Sequence, residues 1–439
     1  MSEYIALLMF PVLLVLIFIG FPVAFSLMAT TLIFGLVTFG DNLIFLLIDK
    51  VEEVGSNFVL AAVPLFVFMG SMLERSGIAD RLFEAIHLWT KRLPGGLAVG
   101  TILMAILFAA STGVIGAAEA VIGLLAIPPM LKHRYNKALI SGTICAGGSL
   151  GTIIPPSVVA VVIGPLANVS IGDLFMGMVF PGLLLATLYA VYIIVICVIK
   201  PEYGPSSEPS PDDPGLWEKI RITVYALVPP LVMIFSVLGS LIMGWAAPTE
   251  AAALGALCSV GLAVFYGRFN LRMFSDALMA TLRITSMIML ILLAGNMFTG
   301  VFAGTGGMMV VNNLIDALGL GPWGLLFLVL FLTLIAGFFL EWASVTLIFI
   351  PIFAPLIAAA GFDVAWFCIL FMIMLQTGYL TPPMAPAIFY LRGVSPPEIT
   401  LPDMYRGVIP FILLQLMVAG VVMAFPQMVL WLPSQVLGF

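Results

Sequence analysis

Long apolar runs separated by short polar stretches pattern this chain, and two of the runs are interrupted in the middle. The interruptions are Gly151-Thr152-Ile153-Ile154-Pro155-Pro156-Ser157 and Gly378-Tyr379-Leu380-Thr381-Pro382-Pro383-Met384. The runs read as transmembrane helices, since an α-helix needs about 20 apolar residues to cross a bilayer. A β-barrel would instead show segments of roughly ten residues alternating apolar and polar. A proline pair removes two backbone donors and disrupts the preceding turn, so a helix that carries one is not expected to face lipid. Paired interruptions in corresponding halves of a hydrophobic chain point to the binding site of a secondary transporter, where the broken turn frees backbone groups for an ion or substrate.

The sixteen basic residues orient the runs. Arg75, Arg81, Lys91 and Arg92 share one polar stretch, Lys132, Arg134 and Lys137 a second, and Lys200, Lys219 and Arg221 a third. Arg268, Arg272 and Arg283 flank a fourth, and Arg392 and Arg406 a fifth. With these five in the cytoplasm, fifteen of the sixteen obey the positive-inside rule, and only Lys50 remains, in an acidic outer loop with Asp41, Asp49, Glu52 and Glu53. Residues 58–73 then run inward. Residues 94–131 must leave and return to the cytoplasmic side in a length marginal for two crossings, and their centre, Ala109-Ala110-Ser111-Thr112-Gly113-Val114-Ile115-Gly116-Ala117-Ala118-Glu119, is small and polar. A re-entrant hairpin with its tip near the midplane accounts for this. A broken helix over 138–168 and a helix over 174–199 follow.

After a polar linker and two connecting spans, about 222–243 and 250–266, the series repeats upside down. Residues 283–304 run outward, 322–361 form a second hairpin centred on Gly337-Phe338-Phe339-Leu340-Glu341-Trp342-Ala343-Ser344, a second broken helix covers 364–391, and 408–431 leaves again. The expected units are a kinked N-terminal part with the acidic outer loop (1–57), a first inverted repeat (58–199), a linker with connecting spans (200–282) and a second inverted repeat (283–433). Within the first unit, residues 4–37, kinked at Gly20-Phe21-Pro22, are long for one straight span and short for two. The first residues lack the basic start and small-residue cleavage site of a secretory signal and are expected to stay as helix.

Composition agrees with an all-α polytopic membrane protein: 62% hydrophobic and 9% charged residues, against a charged share of about a quarter in soluble domains. Cys145, Cys197, Cys258 and Cys368 are scattered through apolar segments and imply neither disulfides nor a metal framework. His87 and His133 fall in cytoplasmic loops without a partner at metal spacing, and no phosphate-cradling Gly-rich loop ending in Lys and Ser or Thr occurs. An enzyme is therefore not expected, and no cofactor is implied. Lipid, not nucleic acid, is the expected surround. Glu119 and Glu341 lie within the membrane, where a charge costs at least about 2.5 kcal/mol on insertion scales, so each is expected to face a cavity or a partner. Glu341, at a hairpin tip, suits an ion ligand, a gate or a proton carrier. Glu250, behind Pro248-Thr249, suits the first turn of a helix. Arg283 and Arg392 suit helix-end anchors, with cargo contact as the other reading.

Several motifs resemble the large membrane subunit of the tripartite ATP-independent periplasmic (TRAP) transporters over nearly the whole chain. They are Gly148 to Ser157, Ser170-Ile171-Gly172-Asp173-Leu174-Phe175 with Phe180-Pro181-Gly182, Pro248-Thr249-Glu250-Ala251-Ala252, and Gly337 to Glu341 with Thr377-Gly378-Tyr379-Leu380-Thr381-Pro382-Pro383. The resemblance implies an inverted-repeat elevator carrier with two re-entrant hairpins and two broken helices, set in the bacterial inner membrane. It also implies sodium as coupling ion, a small membrane subunit and a soluble periplasmic substrate-binding protein as partners, and a small organic acid as cargo. At the first hairpin tip, usually a Ser-Gly-Ser-Ser run in the family, this chain has Ser111-Thr112-Gly113-Val114.

Sodium wants several oxygen ligands, and a Pro-Pro break offers free carbonyls beside threonine hydroxyls and close-approaching glycines. One ion is expected between the tip (Ser111, Thr112, Gly113) and Gly151, Thr152 and Pro155. A second is expected between Gly337, Leu340 and Glu341 and the group Thr377, Gly378, Thr381 and Pro382. A carboxylate cargo would meet hairpin amides with Thr112, Asn296, Thr299 or Ser344. Two alternatives share these features: a standalone sodium-coupled carboxylate carrier or sodium/proton antiporter of related fold, and, since broken helices also build selectivity filters, an ion channel.

Overall fold

The computed structural model describes residues 5–112, 117–206, 214–317 and 319–437. Among these residues there is no strand, and nine helical segments are long and apolar enough to cross a membrane. The first part holds α1 (Ile5–Ile19), α2 (Val23–Phe39), α3 (Leu43–Gly55), α4 (Ala62–Arg75) and α5 (Ile78–Thr90). A helical pair, α6 (Gly96–Thr112) and α7 (Ala117–Lys132), is followed by α8 (Lys137–Ser149), a short 3-10 turn (Leu150–Thr152), α9 (Val158–Ala167) and the long α10 (Ile171–Ile199). Next come α11 (Leu216–Ile242), α12 (Pro248–Phe265), α13 (Leu271–Gly304) and α14 (Gly307–Ala317). The second series is the pair α15 (Pro322–Phe339) and α16 (Trp342–Ala359), then α17 (Val364–Leu380), α18 (Pro386–Val394), α19 (Leu401–Ala424) and α20 (Gln427–Leu437).

Local chemistry sets several boundaries. Asn136 caps α8 by accepting from the N–H groups of Ala138 and Leu139, and Asp363 caps α17 by accepting from Trp366. Thr400 and Asp403 form a reciprocal capping box that starts α19. Prolines open α12, α15 and α18, where a missing N–H costs no helical bond.

Some boundaries differ from those expected. Residues 43–55, expected as acidic loop, are the helix α3, because Leu43-Ile44-Phe45-Leu46-Leu47-Ile48 is apolar throughout and only the following turn is acidic. The N-terminal stretch is two helices, divided at Gly20, whose φ of +105° is left-handed, and at Pro22. The first basic stretch contains α5, whose Ile78, Ala79, Leu82, Ala85 and Ile86 are buried at helical spacing while Asp80 points outward. α13 starts at Leu271, well before 283, and the last segment begins at the Thr400 cap and divides at Phe425-Pro426.

Burial is uneven in a way that matters for a membrane. Residues 139–164 and 366–380 are buried without exception, so the two interrupted helices form the centre of the molecule. By contrast Val37, Phe235 and Leu257, on α2, α11 and α12, are each more than half exposed, as lipid-facing side chains would be. α6 and α7 pack on α8, α15 and α16 pack on α17, and α8 crosses α19. Protein surrounds the irregular backbone of the first break, while that of the second runs from buried Leu380 to exposed Pro383 and Met384.

Candidate functional site

The two interruptions align residue by residue in sequence. Aligning Pro155-Pro156 with Pro382-Pro383, both cis, pairs Gly151 with Gly378, Thr152 with Tyr379 and Ser149 with Gln376. Helical donors to the carbonyl of Thr152 would come from positions 155 and 156, and to that of Tyr379 from 382 and 383; all four are prolines. Each break thus carries a carbonyl that no helix turn can satisfy; the first lies in a fully buried segment, while in the second Tyr379 and Leu380 are buried, Thr381 and Pro382 half-buried, and Pro383 and Met384 exposed. In the second break the Thr377 hydroxyl donates to Ile373 O (2.7 Å) and the Thr381 hydroxyl to Thr377 O (2.6 Å), which leaves the lone pairs of both oxygens unspent. The Thr381 N–H donates to Gly378 O at 3.0 Å.

The second hairpin meets this break directly. α15 and α16 are joined through Leu340 and Glu341, both extended. Gly337 lies on Gly378, backbone against backbone: a Cβ on Gly378 would sit 2.9 Å from Gly337 Cα, and one on Gly337 would sit 3.1 Å from Gly378 Cα. The second hairpin therefore meets the second break at Gly337 and Gly378, with Leu340 following Gly337 along the chain and Thr377, Thr381 and Pro382 flanking Gly378. The Glu341 carbonyl accepts from Ser344 and Val345 in the first turn of α16, while its side chain lines a cleft of about 430 Å³ with Trp342, Tyr379, Phe389 and Tyr390.

At the first hairpin, Ser111 and Thr112 close α6, which packs on the turn Leu150–Thr152 that holds Gly151 and leads to Pro155. Gly113 falls outside the described residues. Glu119 is fully buried and lies against Gly148, whose missing side chain makes room for it.

The expected cargo residues are dispersed. Ser344 is buried in the first turn of α16, its hydroxyl without a hydrogen bond. The Thr299 hydroxyl donates along α13 to Gly295 O (3.0 Å) and Asn296 O (3.1 Å). Asn296 lines a different pocket of about 140 Å³ with Glu53, Asn57 and Asn168, away from the Glu341 cleft. Arg392 Nη1 donates to Ile399 O at 2.6 Å, and Arg283 is exposed.

A further polar group joins the two breaks. Thr152 Oγ1 lies 2.8 Å from Ser149 O and 2.5 Å from Gln376 Oε1, with its single hydrogen to share between them. Gln376 Nε2 donates to Ser149 Oγ at 3.3 Å, and Gln415 Nε2 reaches the same oxygen at 3.5 Å. Tyr189 places its hydroxyl among Gln415, Gln376 and Ser149 without a hydrogen bond of good geometry. Because Ser149 and Gln376 are equivalent positions, this contact sits where the two halves of the chain meet. Ser149, Gln376, Gln415 and Tyr189 were not among the expected site residues. Each is one polar residue in an apolar run, and overlaying the two Pro-Pro motifs is the only signal that singles out Ser149 and Gln376.

Comparison with known proteins gives a consistent picture. The family described as "Tripartite ATP-independent periplasmic transporter, DctM component" matches residues 10–428. The large permease protein DctM of a C4-dicarboxylate TRAP transporter from Pseudomonas aeruginosa is 32% identical over 386 residues, 88% of each chain. The large permease protein SiaM of a sialic acid TRAP transporter from Vibrio cholerae is 29% identical over 425 residues, 97% of each chain. Among solved structures, the YdaH transporter of Alcanivorax borkumensis has the same fold, with a TM-score of 0.66 over 97% of this chain and 99% of that one at 16% identity.

Proposed function

Because this chain belongs to the DctM component family of the tripartite ATP-independent periplasmic transporters, and is a multi-pass protein of the inner membrane, we propose that it imports a small organic acid by sodium coupling. In this reading a soluble periplasmic protein delivers the cargo and a small membrane subunit completes the permease. The chain cycles as an elevator, its two hairpins and two broken helices moving together past the outer helices. The observation that carries the proposal is the matched pair of backbone breaks, each with a carbonyl stripped of helical donors and each against a hairpin. Uncharged oxygens in a protein-lined interior suit a monovalent cation, which then alters the backbone on which cargo is held.

The second candidate ion site has an isosteric probe. Thr381→Val removes a hydroxyl from the second break and is expected to raise the sodium concentration for half-maximal uptake by about tenfold, the scale of one lost polar contact to a charged group. Sodium titration of uptake in proteoliposomes measures it, and an unchanged half-saturation removes Thr381 from the ion site. The tripartite part of the reading is tested by omitting the soluble protein. Uptake should then fall to background, whereas sodium-driven uptake without it would favour a standalone carrier.

A further inference from the structure

The cleft beside the second hairpin tip has an unexpected character for an importer of anions. Its volume of about 430 Å³ suits a small solute, and it is lined by the carboxylate of Glu341 and by the rings of Trp342, Tyr379, Phe389 and Tyr390. No Lys, Arg or His lines it. Glu341 takes part in neither of the two ion pairs found among the described residues, Lys50–Glu53 and Glu74–Arg75. The nearest sequence cation on α18, Arg392, is turned to the carbonyl of Ile399.

From this arrangement we infer that the cleft holds a positively charged nitrogen, so the cargo is a zwitterion that bears an ammonium, amidinium or quaternary ammonium group as well as its carboxylate. The faces of aromatic rings attract cations, and the half-buried carboxylate of Glu341 beside them adds a charge partner. The same wall repels a simple dicarboxylate, because an anion placed there would meet Glu341 with no compensating base. The inference rests on the transport reading above and narrows its substrate class.

The test uses the full chain with its small membrane subunit in nanodiscs at saturating sodium. Its probes are glycine betaine and tert-butylacetate, which share a carboxylate and a trimethyl head of the same shape and differ in having nitrogen or carbon at the head. Calorimetric titration should show betaine binding at least tenfold more tightly than tert-butylacetate, and Glu341→Gln should abolish the difference. Equal binding, preference for tert-butylacetate or no binding of either overturns the inference. So does a folded Glu341→Gln variant that keeps the preference and loses only sodium affinity. Should that variant not fold, the comparison of the two probes on the unaltered chain decides alone. Sodium-driven uptake without betaine preference would sink this inference and spare the transport reading, while betaine preference without any sodium effect would do the reverse.

Discussion

A Gly378→Val variant is expected to lose essentially all sodium-dependent uptake and about 1–3 kcal/mol of stability, the usual cost of forcing extra carbon into a packed interior. The crowding is between backbones: a Cβ at this position would lie 2.9 Å from both Gly337 Cα and Leu334 O. Carbon atoms in good contact stand about 3.5–4.0 Å apart, and no rotamer change relieves a clash with main chain. α15 must therefore withdraw from α17, carrying Leu340 and the hairpin tip away from Thr377 and Thr381. Melting temperature in detergent reads the stability loss, and uptake in proteoliposomes reads the function. Gly420→Ala is the control, since a Cβ there meets nothing within 4 Å. If Gly378→Val transports normally, the hairpin and the break do not form a joint site.

Gln376→Leu is expected to uncouple the two breaks. The substitution keeps the volume but removes the partner of Thr152 and the Nε2 donor to Ser149, in a cluster whose members are all buried. Leaving a buried hydroxyl short of a partner costs about 1–3 kcal/mol. A more specific outcome follows from position: Gln376 adjoins Thr377 in the second break and bonds Thr152 in the first, so on the proposed sodium coupling one side chain would link occupancy at the two breaks. The Hill coefficient of sodium activation should fall toward unity, with maximal uptake reduced severalfold. A normal Hill coefficient in a folded Gln376→Leu protein would show that the two breaks act independently.

The features legible in the sequence are those whose physics is local. A Pro-Pro pair denies donors to residues three and four positions earlier, so both backbone breaks are readable without any knowledge of what packs around them. Charges at helix ends obey a rule that counts along the chain, which is why the basic residues order the spans. The network of Ser149, Thr152, Gln376 and Gln415 was not readable in the same way, because its bonds join residues more than 200 positions apart. α5 and the early start of α13 were missed because charged residues interrupt the apolar run. An amphipathic helix with one buried face keeps charges such as Asp80, Arg272 and Asp276 on the other. Asn296 and Thr299 were drawn in by their polarity alone, and the turn of α13 that carries them presents Asn296 to a different pocket.

The central claim is that the two backbone breaks hold sodium. Equilibrium binding of radioactive sodium to the purified chain with its small membrane subunit tests it most directly. Saturable binding that potassium does not displace, weakened in Thr381→Val and absent in Gly378→Val, is the predicted result. No saturable binding, or binding that both variants retain unchanged, would contradict it.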